Sequence, residues 1–503
     1  MPRDSAGTAT HYRDHAGELL EKRAKTWSIG GRRHVGEVHS LSTGASGVDR
    51  SVALPPMDAT SAQTPVFSRN TTRTADGALA VAGRDVRDLA AEFGTPAYLV
   101  DVDDARRRAR EYRAEFARAF EAIGTHCDVF YAGKAFLSVA MAKLVLEEGL
   151  HLDVCTGGEL AVAQRAGVPG EAIGMHGNNK SVAEIDAAIA AGVGRIVVDS
   201  FEEIDRVADA AARAGVRAKV MLRVKTGVEA HTHEFIATAH EDQKFGFSLD
   251  GQVSDAVRRV LARDELELLG FHSHIGSQIF ESDGFAVAAE RLIGLQLKVA
   301  QEHGVDLPEL DLGGGFGIAY LPDDVPLAPA DMADQLAAIV QKACAAAGTA
   351  IPRISIEPGR SIIGPAGMTL YTVGTVKPVV VDDDLTRTYV AVDGGMSDNP
   401  RPVLYDADYH CEIGGRAGEP TALSRVVGKH CESGDIVVRD VLLPADVRAG
   451  DLVLVAATGA YCRSLASTYN HVPRPPVIAV DEAGARPWLR RETIEDLLLL
   501  ESE

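Results

Sequence analysis

One repeated unit constrains this chain more than any other feature. Between Asp128 and Gly359, short β-branched runs alternate with Ala-rich amphipathic stretches, with glycine between them, which is the pattern of successive βα units. The apolar runs are Val129 to Ala132, Leu152 to Cys155, Ile173 to His176, Arg195 to Val198, Val220 to Arg223, Leu268 to His272, Leu310 to Leu312 and Ile354 to Ile356. Among the stretches between them, Phe285, Ala288, Leu292, Leu295 and Val299 recur at helical spacing and put one apolar stripe against a sheet. Eight such units in about 230 residues match a closed parallel (β/α)8 barrel, for which about 250 residues is typical. A doubly wound open sheet is the structural rival.

The flanks have a different texture. After Gly367 come short strands parted by Gly, Pro and Asp: Tyr371 to Val381, Tyr389 to Val392, Asp435 to Val438, Asp451 to Ala456 and Val477 to Val480. Residues 368–503 therefore read as an all-β C-terminal domain and 96–367 as the barrel, an α/β fold overall. Residues 76–95 form a lead-in, in which Ala78 to Val81 supplies a strand to the β domain. Residues 1–75 are rich in Ser, Thr, Gly, Ala and Arg and read as a poorly ordered extension. Its one helix-like stretch is Ala16 to Arg23, and Met57 is an alternative start.

The net charge of −21 is scattered, which argues against a nucleic-acid or anionic-membrane binder and leaves a small-molecule partner. Cys127, Cys155, Cys344, Cys411, Cys431 and Cys462 show no C-x-x-C spacing, so neither a zinc knuckle nor a disulfide framework is expected. No apolar stretch approaches the roughly 18 residues needed to span a bilayer, and no signal peptide is evident, so the expected location is the cytoplasm.

In a barrel of this kind, reacting groups sit on the loops after the strands. Lys134 follows strand one, His274 strand six, Gly313-Gly314-Gly315 strand seven and Glu357-Pro358-Gly359-Arg360 strand eight. Singly, each has a bland reading as a solvated lysine, a loop histidine or a tight turn. Together on one rim they describe a cofactor site. A Gly-rich turn offers backbone N–H groups to a phosphate, and a lysine amine condenses with an aldehyde. A carboxylate keeps a pyridine nitrogen protonated, and an imidazole stacks on a ring. The cofactor that combines phosphate, aldehyde and pyridine is pyridoxal 5′-phosphate.

The chain also resembles the diaminopimelate decarboxylases, fold-type III pyridoxal enzymes, from about Gly94 to Pro476. Besides the rim segments, the likeness is carried by Leu152 to Leu160, His176 to Ser181, His231 to Glu234, Lys244 to Phe247, Val392 to Met396, Asn399 to Tyr405, Cys431 to Asp435 and Thr458 to Tyr461. The resemblance implies Lys134 as the Schiff-base lysine, His274 as the ring-stacking residue and Ser277 with Gly313, Gly314 and Gly315 as the phosphate cradle. It implies Glu357 as the pyridinium partner, with Gly359, Arg360 and Tyr461 also against the cofactor. It further implies Arg360, Arg401, Tyr405, Glu432 and Tyr461 as the substrate clamp and Cys431 as the proton donor, and no metal. A head-to-tail homodimer is implied as well, with Cys431 and Glu432 reaching the partner's site.

The clamp separates substrates by chemistry. meso-Diaminopimelate carries an amino group and a carboxylate at each end, so Arg360 and Arg401 suit the carboxylate that stays and Glu432 the ammonium beside it. An ornithine or lysine decarboxylase of this fold is expected to have an acidic residue where Arg401 stands. The implied reaction yields L-lysine and carbon dioxide, the last step of lysine biosynthesis. Two departures from the family pattern are Lys225-Thr226 in place of Asn-Pro and the Ala237-Thr238-Ala239 loop. The alternatives are a decarboxylase of ornithine, arginine or lysine and a non-catalytic pyridoxal-binding regulator. A metal-dependent barrel hydrolase is a further one, since His231-Thr232-His233 and His272-Ser273-His274 both read as H-x-H.

Overall fold

A computed structural model describes residues 65–228, 243–382 and 385–502 of the chain. All eight expected runs are strands: Cys127–Ala132, His151–Val154, Ile173–Met175, Arg195–Val198, Ala218–Lys225, Leu266–His272, Glu309–Asp311 and Arg353–Ile356. Each lies parallel to the next, and the last returns to the first with Ile354 opposite Cys127. The sheet is closed, which removes the doubly wound alternative.

The sequence marks each helix of the early units at both ends. Ser138, Thr156, Ser181 and Ser200 accept a hydrogen bond from the backbone N–H three residues on, satisfying donors that the first helical turn leaves open. The helices from Gly157, Val182 and Phe201 end on Gly167, Gly192 and Gly215, all left-handed. The glycine between units is therefore a helix stop, and each Ser or Thr cap contributes about 1 kcal/mol.

The chain around the barrel corrects two expectations. Residues 65–75, assigned to a poorly ordered extension, are packed: Val66 and Phe67 are buried, and Thr71–Arg73 pairs with Leu79–Val81. Leu79–Val81 does not enter the β domain's sheet. It pairs with Arg84–Asp85 in a three-stranded sheet of its own, tied to the β domain by the Leu79 N–H donating to the Gly414 carbonyl at 2.7 Å. The strand that does enter is Ala97–Asp101, all five residues buried, which lay inside the range read as barrel. It runs antiparallel to Gly367–Asp382 and parallel to Val477–Asp481. Ala16 to Arg23 and Met57 lie outside the described residues.

The five strands expected after Gly367 are present, and Cys411–Ile413, Pro420–Val427 and Gly484–Leu489 join them. Among the described residues no helix is long and apolar enough to cross a membrane.

Candidate active site

The C-terminal ends of the barrel strands open into a cavity of about 530 Å³, with Lys134, Asp153, His176, His272, His274 and Glu357 in its wall. A smaller recess beside it shares Lys134, His274 and Glu357 and adds Ser277, Gly315, Gly359, Arg360 and Tyr461. The structure thus brings together, from loops far apart in sequence, most of the residues the rim reading singled out.

Lys134 stands on a tight turn directly after the first barrel strand. The Gly133 N–H donates to the Asp153 carbonyl at 3.0 Å, and the Ala135 N–H returns to the Ala132 carbonyl at 3.0 Å. The β domain holds the far side of the turn: the Ala135 carbonyl accepts from the Tyr461 N–H at 2.8 Å and the Ser464 hydroxyl at 2.7 Å.

Of the three glycines after strand seven, Gly315 lines the recess. Gly313 and Gly314 pack behind it, where a Cβ would come within 2.4 Å of the Ser273 carbonyl and 2.1 Å of the Glu357 carbonyl. Gly313 and Gly315 also have φ of +70° and +110°, which other residues adopt only with strain. The Gly314 N–H points to His274 Nδ1 at 3.4 Å, so that nitrogen is the acceptor and the ring is neutral. Burial, and then the Lys134 ammonium, hold this imidazole well below its usual pKa.

Glu357 is buried, and its Oε1 has no hydrogen-bond partner among the described residues. His272 Nε2 lies 3.1 Å and His176 Nε2 3.4 Å from that oxygen, and His176 Nε2 is 3.1 Å from Asp153 Oδ1. Donor atoms of His176, His272 and Glu357 fall within 4.8 Å of one another, a set that is also of metal-binding type. His272 therefore looks into the barrel and His274 onto its mouth; His231 and His233 lie outside the described residues. Burial pushes Asp153 well up and brings His176 down to about 4.

That shift has a measurable consequence. In the unfolded chain a histidine titrates near 6.5, whereas His176 stays neutral in the fold down to about pH 4. Between those values the unfolded chain binds the extra proton, so this contribution is complete above 6.5 and is lost as pH falls, by up to about 1.4 kcal/mol per pH unit. Asp398 has the opposite slope, because burial raises its carboxyl to about 7 and its contribution fades as pH rises. The readout is therefore a difference. In urea unfolding of cofactor-free protein, His176→Asn should lose stability less steeply than the parent between pH 6.5 and 4.5, and parallel curves would refute the assignment.

Arg360 donates to the Ser277 hydroxyl at 2.7 Å and to the Tyr320 hydroxyl. Arg401, buried at the start of the short helix Arg401–Tyr405, donates to Tyr320 Oη at 2.7 Å and Tyr409 Oη at 2.6 Å. No carboxylate pairs with either guanidinium among the described residues. The structure does not bring Tyr405, Cys431 or Glu432 into the cavity of their own chain. Tyr405 is 64% exposed, and Cys431 and Glu432 lie exposed on the loop before Ile436–Pro444. Asp435 fixes that loop by accepting from the Met396 N–H at 2.6 Å and the His430 N–H at 2.7 Å.

Sequence reasoning gave no site role to Asp153, His176, Tyr320 or Tyr409, and considered His272 only as a metal ligand of the hydrolase alternative. His176 opens the run His176-Gly177-Asn178-Asn179-Lys180, a detectable signal; Tyr320 and Tyr409 carry no motif.

Residues 103–364 match the family model described as "Pyridoxal-dependent decarboxylase, pyridoxal binding domain". The fold and this match place the chain among the pyridoxal-dependent decarboxylases built on a (β/α)8 barrel. The chain is 54% identical over 442 residues to the diaminopimelate decarboxylase of Mycobacterium tuberculosis, covering 87% of this chain and 97% of the relative. It is 45% identical over 427 residues to that of Bacillus subtilis, covering 84% and 95%. The solved diaminopimelate decarboxylase of M. jannaschii in complex with L-lysine superimposes with a TM-score of 0.81 at 30% identity, over 87% of this chain and 98% of that one. The chain belongs to the diaminopimelate decarboxylase family.

The residues present fit pyridoxal phosphate. A buried carboxylate oxygen without a partner suits a protonated ring nitrogen, a turn closed to any Cβ suits a phosphate, and a guanidinium without a carboxylate supplies its counter-charge.

Proposed function

We propose that this chain decarboxylates meso-2,6-diaminopimelate to L-lysine and carbon dioxide, with pyridoxal phosphate carried on Lys134. The observation that carries the substrate is Arg401. Among the described residues this guanidinium, 6% exposed, donates to two neutral tyrosines and meets no carboxylate, so it lacks the counter-charge a buried cation needs, and a substrate carboxylate supplies it.

When bound, the cofactor supplies an aldehyde that condenses with amines and a protonated ring that accepts the electron pair freed at Cα. The chain's own residues do the rest. Glu357 would hold the ring nitrogen protonated, the neutral His274 ring would pack against the cofactor ring, and Ser277, Gly313 to Gly315, Gly359 and Arg360 would hold the phosphate. Lys134 would hold the cofactor's aldehyde, and its amine is the group that a substrate amine would have to displace. Arg401, with Tyr461 beside it, holds the carboxylate that is kept. Glu432 receives the distal ammonium, and the Cys431 thiol protonates Cα after carbon dioxide departs.

Cys431 and Glu432 lie exposed in the single chain, which supports a homodimer in which each copy completes the other's site. All six cysteines are unpaired, which supports a reducing cytoplasm.

The test is to supply the protein and cofactor with meso-diaminopimelate, ornithine, arginine and lysine in parallel and measure carbon dioxide. Diaminopimelate should be fastest, and a faster rate on ornithine or arginine would remove the substrate assignment. For the shared site, inactive Lys134→Ala and inactive Cys431→Ala proteins, mixed and re-associated, should recover up to about a quarter of parental activity through heterodimers with one intact site. No recovery would count against the dimer.

A further inference from the structure

Arg360 and Arg401 reach the site from different domains, one following the eighth barrel strand and the other opening a short helix of the β domain. Both nonetheless donate through Nη1 to the same atom, the phenolic oxygen of Tyr320. Two guanidiniums drawn to one point repel each other, and no carboxylate among the described residues lies between them to offset this. A phenol oxygen has two lone pairs, and here each takes one arginine, so neither cation can move over to the other's acceptor without giving up a bond. The Tyr320 ring adds a second constraint, lying 4.9 Å from the Arg401 guanidinium carbon and 5.7 Å from that of Arg360. Tyr409 packs edge-on against it at 5.1 Å, and its hydroxyl accepts from the same Arg401 Nη1 at 2.6 Å.

We infer that Tyr320 is a positioning residue that divides the two arginines into separate anion seats, Arg360 towards the cofactor's phosphate and Arg401 towards the carboxylate the substrate keeps. It thereby sets selectivity for amino acids that carry that carboxylate. The inference rests on the clamp reading given above. Its physical basis is the loop itself: the turn Gly313 to Gly315 that backs the phosphate recess continues directly to Tyr320, whose N–H is pinned by the Asp324 carboxylate at 2.9 Å. One loop therefore fixes the distance between the two seats. Burial keeps the phenol above its usual pKa, so it remains a neutral acceptor between the two cations.

Tyr320→Phe removes the shared acceptor and keeps the ring, while Ser277 still holds Arg360 and Tyr409 still holds Arg401. The experiment compares two inhibitors of the holoenzyme: L-lysine, which retains the carboxylate, and cadaverine, the same diamine without it. In Tyr320→Phe, L-lysine inhibition should weaken roughly tenfold or more and KM for meso-diaminopimelate should rise in step, given what a hydrogen bond to a charged group contributes. Cadaverine inhibition and the visible absorption of the bound cofactor should not change, and kcat should stay within about threefold. Equal weakening of both diamines, or loss of the cofactor's absorption, would mean that Tyr320 acts through the fold or the cofactor and would overturn the inference. Arg401→Ala is measured alongside. If it weakens L-lysine and Tyr320→Phe does not, Tyr320 has no such role; if Arg401→Ala leaves L-lysine inhibition intact, the clamp reading fails and the inference with it.

Discussion

Lys134→Ala protein is expected to show no visible absorption from lysine-bound cofactor and to lose decarboxylation by roughly four orders of magnitude or more, about 5.5 kcal/mol of barrier. The effect is large because the residue is irreplaceable in place. Its turn is fixed from both sides, by the Asp153 carbonyl on Gly133 and by the Tyr461 and Ser464 donors on Ala135, so its side chain enters the cavity from a fixed point. Lys244 is the other lysine in the cavity wall, contributed by the segment following the fifth strand. Absorption spectra and single-turnover carbon dioxide release check the prediction. Retained absorption in the variant would move the anchor to another lysine.

The second large effect is expected at Arg401. Arg401→Ala should lower kcat/KM for meso-diaminopimelate by about a thousandfold, or about 4 kcal/mol, while cofactor absorption persists. A carboxylate held by this guanidinium would lose its charge partner, and Arg360 is already held towards the recess by Ser277 and Tyr320. The variant should also discriminate less between diaminopimelate and amino acids without a distal carboxylate. An equal loss on all substrates would point to damage in the Tyr320–Tyr409 support instead.

What could be read from residues alone followed the physics of each segment. The barrel was legible because nearly every strand carries a run of buried apolar residues and its early helices are bracketed by Ser or Thr and Gly. Pro420–Val427 and Gly484–Leu489 escaped because their exposed positions carry Pro, Thr and Arg, which dilute the strand pattern. Ala97–Asp101 is apolar enough to be seen, but it directly precedes the helix Val102–Glu121 and so reads as one more βα unit; only pairing reveals that it belongs to the other domain. Lys134, His274 and Glu357 were legible because a barrel's chemistry gathers at its strand ends. Tyr405, Cys431 and Glu432 gained roles only through resemblance, since nothing in a single chain brings them to the cavity. Tyr320 was missed because a tyrosine beyond a glycine turn acquires meaning only when two distant arginines are seen to share it.

The position of Ala97–Asp101 bears on how the enzyme is made. Its two neighbours in the sheet belong to segments beginning at Gly367 and Val477, so a strand synthesised early waits for one partner until about three quarters of the chain has left the ribosome and for the other until nearly all of it has. At about 5–20 residues per second that is a wait of tens of seconds. The donors from Tyr461 and Ser464 that fix the lysine turn arrive just as late. A chain lacking its last segments would leave both this strand edge and the turn that carries Lys134 without these partners.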